Sequence, residues 1–106
     1  DIHWADAIKV CFPMGSMTGA PKKRVMELID KYEEIGRGLF SGSIGYITAQ
    51  SDFDFNVIIR SIFYDEENQK LSYAAGGGIT FNSIAENEYE ESLLKAAAIK
   101  QVLENQ

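Results

Sequence analysis

Two carboxylates and one amine are spaced as on one face of a helix near the end of the chain. Glu88, Glu91 and Lys95 stand at i, i+3 and i+7, so on a helix they fall within an arc of about 60°. Two carboxylates one turn apart can hold Mg²⁺, which is usually bound by one or two carboxylates, waters and substrate oxygens. Lys95 can bind a substrate carboxylate. Two simpler explanations remain open: an acidic helix start that favours the helix dipole, and a Glu91–Lys95 pair.

Arg60 and a run of glycines are further candidates for binding a carboxylate. Arg60 lies in FNVIIRSIFY, where apolar residues on both faces predict a buried strand. A buried guanidinium needs partners, so Arg60 is either in an internal salt bridge or at a strand end, or it is a fork for a carboxylate ligand. Residues 76–78 are all glycine. They form either a turn or a segment whose N–H groups approach a ligand.

The remaining polar candidates are weaker. The segment GSMTGAPK (15–22) has Ala20 where a phosphate-binding loop needs glycine, which excludes a nucleotide site of that type. Thr18 and nearby backbone amides nevertheless precede a predicted helix, a place suited to anions. The lone histidine, His3, has no metal-binding or catalytic partner in the sequence. The only cysteine, Cys11, is expected to be a buried small apolar residue.

The elements that must position these residues follow from periodicity and turn signals. Length predicts one domain over residues 1–106. Ser83 and Glu86 form a capping-box pattern before the last helix. The fold class predicted is α+β, an antiparallel three-stranded meander with flanking helices in the order α-α-β-β-β-α. Its predicted helices are 2–12, 21–34 and 84–103, and its predicted strands are 41–50, 55–64 and 70–77.

Composition limits the partners and the compartment. The net charge is −6, and no basic stripe predicts binding to nucleic acid. No apolar run approaches the ~20 residues of a membrane helix, so no membrane partner is expected. A single cysteine excludes an internal disulfide and is typical of a reducing compartment, so a cytoplasmic protein is expected. The apolar faces of strand 55–64 predict self-association, with a symmetric dimer as the simplest closed form.

Five ordered motifs between about Ile8 and Leu103 resemble the C-terminal part of the chorismate-utilising enzymes. The resemblance implies that the chain is a C-terminal fragment of their larger α/β-sandwich fold. The pattern G-S-x-T-G-A-P-K, with Ser16, is more similar to the aminodeoxychorismate synthase branch, which makes a folate precursor, than to anthranilate synthase component I. A non-catalytic binding module is a further alternative. The motifs are FPMGSMTGAPKKRVMELID (12–30), SGSIGYI (41–47), IIRS (58–61), AAGGGI (74–79) and AENEYEESLLKAAA (85–98).

The resemblance also implies a role for each matching residue. Glu88 and Glu91 correspond to ligands of Mg²⁺. The implied substrate is chorismate, and a glutamine amidotransferase subunit would supply the ammonia that enters its ring. The family's nucleophilic lysine precedes the matching region, so no catalytic residue is expected within this chain, and the chain alone is expected to be inactive. The residues implied to bind substrate are Thr18, Gly19, Tyr46, Arg60, Gly76, Gly78 and Lys95.

Overall fold

The computed structural model describes residues 2–105 of the chain, and it confirms a mixed α+β architecture of helices and antiparallel hairpins. The chain folds as two compact units that divide between Ile58 and Ile59. The first unit holds three helices and one hairpin. The second holds one hairpin and the long last helix. None of the helices in residues 2–105 is long and apolar enough to cross a membrane.

Three helices begin the first unit. They are α1 (Trp4–Cys11), α2 (Gly15–Thr18) and α3 (Lys22–Tyr32). His3 caps α1, because its Nδ1 accepts a hydrogen bond from the backbone N–H of Ala5 at 3.2 Å, a role for this residue that the sequence did not predict. The expectation that Cys11 is buried is wrong: its thiol is exposed, because it lies in the last turn of a helix that buries no residue.

The first hairpin pairs β1 (Ser43–Ile47) with β2 (Phe53–Val57), and Gly45 lies opposite Phe55. The turn between them is closed by Thr48, whose N–H donates to the Asp52 carbonyl and whose hydroxyl accepts from the Asp52 N–H. Side chains of α1 and this hairpin line a cavity of about 320 Å³. The cavity contains none of the predicted site residues; its apolar lining includes Ile8, Phe12, Phe53, Phe55 and Val57.

The predicted strand 55–64 is wrong, and with it the three-stranded meander. The chain leaves the strand conformation over residues 58–61, and Arg60 adopts a left-handed backbone with φ of 50°. A residue in that region cannot continue a strand. The structure therefore has four strands in two separate antiparallel hairpins, giving the order α-α-α-β-β-β-β-α. Ile58, at the break, is the only buried hydrophobic residue within residues 2–105.

The second unit begins with β3 (Ile62–Asp65) and β4 (Lys70–Tyr73), joined by the predicted turn. The third predicted strand extended to residue 77, whereas β4 ends at Tyr73 because no partner strand faces the glycines that follow. The last helix, α4, spans Ala85–Glu104, close to its predicted bounds.

The predicted capping box at the start of α4 does not form. The N-cap residue is Ile84, which has no side-chain oxygen to offer. Ser83 lies one residue too early, and its hydroxyl instead accepts a hydrogen bond from the Thr80 N–H at 2.9 Å. Ser83 therefore closes the turn between the glycine segment, residues 76–78, and α4.

Candidate functional site

The glycine segment and the first turns of α4 come together inside the second unit. Lys95 Nζ donates to the carbonyl oxygen of Gly76 at 3.2 Å and pairs with Glu91 Oε1 at 2.5 Å. Glu88 lies so near the same segment that a Cβ added at Gly77 would be 3.1 Å from its Oε2. We call these five residues, Gly76, Gly77, Glu88, Glu91 and Lys95, the α4–glycine cluster. Of the alternatives that the sequence left open, the Glu91–Lys95 helix pair is present.

The carboxylates of Glu88 and Glu91 are the type of donor that a hard divalent cation accepts. Glu88 is half-buried against the glycine segment, and Glu91 is more exposed. Within residues 2–105, no three His, Cys, Asp or Glu side chains are grouped closely enough to hold a metal ion. Two carboxylates suit Mg²⁺, because that ion retains several waters and accepts substrate oxygens as its remaining ligands.

The glycine segment offers unused hydrogen-bond donors. Over the described part of the chain, the N–H groups of Gly76, Gly77 and Gly78 donate no hydrogen bond to another backbone group or side chain. A Cβ placed at Gly76 or Gly78 would meet nothing within 4 Å, so the backbone is open to a ligand at both positions. Free amides beside the Lys95 ammonium form a surface that can accept a carboxylate.

Arg60 lies in the second unit, and its position differs from the prediction. We expected a guanidinium buried in a strand, but the residue is exposed because the chain breaks there. No ion pair involving Arg60 occurs among the described residues, so the internal salt bridge considered from the sequence is not formed. All five guanidinium N–H donors are therefore open to an external carboxylate.

Three predicted substrate residues lie in the first unit, on two different elements. The Thr18 hydroxyl donates to the Met14 carbonyl at 3.1 Å, within the single turn of α2. Gly19 has φ of 114°, and a Cβ there would lie 3.2 Å from Val25 Cγ1 on α3, so this position requires glycine. Tyr46 is on β1 and is 63% exposed, which leaves its ring and hydroxyl accessible.

Comparison with known proteins identifies the family. Residues 1–101 match the model of the family described as chorismate binding enzyme. The chain belongs to this family of chorismate binding enzymes. It is 45% identical over 104 residues to the probable chloroplastic aminodeoxychorismate synthase of Oryza sativa subsp. japonica, covering 98% of this chain and 11% of that protein.

Relatives from two branches of the chorismate binding family match to similar degrees. Aminodeoxychorismate synthase component 1 of Bacillus subtilis is 40% identical over 99 residues, 93% of this chain and 21% of that protein. Anthranilate synthase component 1 of Aquifex aeolicus is 38% identical over 99 residues, again 93% of this chain and 20% of that protein. The chain thus spans about a tenth to a fifth of the length of these curated relatives.

Sequence reasoning missed one polar group of the first unit, Arg37. Its guanidinium forms hydrogen bonds with the Glu33 carboxylate, the Met17 carbonyl and the Ser41 hydroxyl. Glu33 and Arg37 stand at i, i+4 in the sequence, but both residues follow the end of α3. Helical spacing therefore does not predict that their side chains meet. Met17 is twenty residues away in the chain, so only the folded structure reveals that contact.

Proposed function

We propose that the protein carrying this chain is an aminodeoxychorismate synthase component I. It converts chorismate and ammonia to 4-amino-4-deoxychorismate and water, in a Mg²⁺-dependent reaction, with a glutamine amidotransferase subunit as the source of ammonia. Membership of the chorismate binding family and the printed names of the relatives support this proposal. Ser16 in the pattern G-S-x-T-G-A-P-K favours this branch over anthranilate synthase.

The observation that carries the proposal is the α4–glycine cluster. It combines two carboxylates, one ammonium and free backbone amides within reach of one another. A dicarboxylate substrate bound to a divalent cation needs these groups: anionic ligands for the cation, and donors for the carboxylate oxygens. Thr18, Gly19 and Tyr46, in the first unit, are proposed as further substrate-binding residues on the family resemblance alone.

Each group in the cluster has a distinct role in this proposal. Glu88 and Glu91 would hold Mg²⁺, which supplies Lewis-acid stabilisation and orients the substrate when bound. Lys95 and the amides of Gly76 and Gly78 would bind and orient a substrate carboxylate. Arg60 would bind a carboxylate through its planar fork. These residues position the substrate, and the nucleophilic lysine that the family resemblance implies is not among them.

A product assay on the full-length gene product tests the proposal. Chorismate, an ammonium salt and Mg²⁺ are incubated with the protein, and the products are separated chromatographically. We expect 4-amino-4-deoxychorismate. Anthranilate as the product would assign the protein to the tryptophan branch, an alternative favoured by the similar identity to anthranilate synthases. Binding of chorismate without any product would identify a non-catalytic binding module.

A pair of glutamate variants tests the cation site within that assay. Glu91→Gln removes a ligand charge but keeps the shape of the side chain, and turnover should fall to less than about one hundredth. Glu90→Gln is the matched control: this exposed neighbour lies about 160° around the helix from Glu88. The affinity for Mg²⁺, measured calorimetrically, should weaken only in Glu91→Gln. Equal affinity in both variants would refute the assignment.

A further inference from the structure

Arg37 makes four hydrogen bonds to three partners in the first unit. Its Nε and Nη2 bind the two carboxylate oxygens of Glu33 at 2.7 and 2.5 Å. Its Nη1 donates to the Met17 carbonyl and to the Ser41 hydroxyl, both at 3.0 Å. A bidentate pair fixes the plane of a guanidinium, so Glu33 sets the direction in which Nη1 points. The side chain is only 26% exposed.

The Met17 carbonyl belongs to an element that is weak by itself. α2 is a single turn, and one turn is unstable without external contacts, because helix nucleation is unfavourable. The last carbonyls of a helix lack intrahelical partners, and a basic side chain near the C-terminus can satisfy them. Arg37 does so for Met17, the residue immediately before Thr18.

The segment Met17–Gly19 is therefore held at both ends. Arg37 binds its first carbonyl, and the N–H of Gly19, at its end, donates to the Gly15 carbonyl at 2.7 Å. Val25 of α3 lies close enough to Gly19 to leave no space for a Cβ there. The third partner, Ser41, adds a connection to the hairpin: Ser41 is buried, and its N–H donates to the Ile58 carbonyl at 2.9 Å. Arg37 thus joins the α2 turn to the chain that enters β1.

We propose that Arg37 is a positioning residue for the substrate site, because it fixes the backbone of Met17–Gly19 in the conformation that contacts chorismate. This inference rests on the proposed function, since Thr18 and Gly19 contribute to the site only if chorismate binds there. Arg37 itself need not touch the substrate, because all but one of its five N–H donors are used within the protein.

A second arginine of the same region provides a matched control. Arg24 pairs with Glu27 at 3.2 Å on α3, but its side chain is 67% exposed, and within residues 2–105 it forms no hydrogen bond with the α2 turn. Arg37→Gln and Arg24→Gln each remove one positive charge and an ion pair with a nearby glutamate, although the Arg37 pair is bidentate and the Arg24 pair is a single contact. Only the first removes the hydrogen bonds to Met17 and Ser41.

The test measures hydrogen exchange and steady-state kinetics on the full-length gene product. In Arg37→Gln, exchange of the amides of residues 15–19 should accelerate about tenfold or more. The KM for chorismate should rise about tenfold with little change in kcat. Arg24→Gln should alter neither. Arg37→Lys, which keeps the charge but not the fork, should fall between the wild type and Arg37→Gln.

Either of two results would overturn the positioning role of Arg37 without affecting the proposed function. A lower melting temperature in Arg37→Gln with unchanged KM would make Arg37 a purely structural residue. Unchanged exchange at residues 15–19 would show that it does not hold the turn. A wild-type protein that binds no chorismate would instead refute the proposed function, and with it the substrate role of this turn.

Discussion

Replacement of Gly45 by alanine is expected to damage the first hairpin, because the two strands leave no space for a side chain there. A Cβ at this position would overlap the Asp54 carbonyl oxygen and would lie 2.6 Å from Phe55 Cγ. Real Cβ contacts are rarely below about 3.0 Å, so β1 and β2 must separate by roughly 1 Å at this point or change register. The obstacle includes backbone of the partner strand, which cannot rotate away.

The expected cost follows from that displacement. Overpacking of this kind costs roughly 1–3 kcal/mol, and it outweighs the ~0.4–1 kcal/mol that a glycine-to-alanine change contributes by restricting the unfolded chain. At ~4–8 °C per kcal/mol for a domain of this size, the melting temperature should fall by roughly 5–15 °C. Tyr46 is the next residue of β1, so the affinity for chorismate should weaken as well.

Thermal denaturation followed by circular dichroism is the assay, with Gly36→Ala as the control. Gly36 lies outside the helices and strands, and a Cβ there would meet nothing within 4 Å, so this variant should melt at or slightly above the wild-type temperature. A Gly45→Ala protein that melts as high as Gly36→Ala would refute the close approach of β1 and β2 at this position.

Three further outcomes are expected. Arg60→Lys should weaken the affinity for chorismate about tenfold, or ~1.5 kcal/mol, since lysine lacks the fork; a large fall in melting temperature with unchanged affinity would contradict a ligand role. The Arg37 hydrogen bond lowers the pKa of Glu33 below its ordinary 4.5, and burial opposes this effect. The Glu33–Arg37 ion pair therefore stabilises the folded protein fully above about pH 4.5, and this stabilisation is lost as the pH falls through the lower pKa that Glu33 has in the folded state. Glu33→Gln should therefore reduce the acid dependence of the melting temperature. The 106-residue chain should self-associate because two-stranded hairpins leave unpaired edges; light scattering that reports a monomer at every dilution would contradict this expectation.

Local signals in the sequence predicted the elements that depend on near neighbours. The predicted bounds of α4 lie close to the observed ones, because the segment is rich in good helix formers, although the capping box that marked its start does not form. The common face of Glu91 and Lys95 follows from helical spacing, which involves residues only three or four positions apart. The turn between β3 and β4 follows similarly from a run of turn-forming residues. The motif order alone also indicated the chorismate binding family, which the family comparison confirmed.

Only the tertiary structure decided where the long apolar stretch breaks and which distant groups meet. Nothing in FNVIIRSIFY distinguishes one strand from two, because the break depends on the left-handed backbone of Arg60, which the side-chain pattern does not encode. The contacts of Arg37 with Met17 and of Lys95 with Gly76 span twenty and nineteen residues. Such contacts form only when the intervening chain has folded, so spacing in the sequence carries no signal for them.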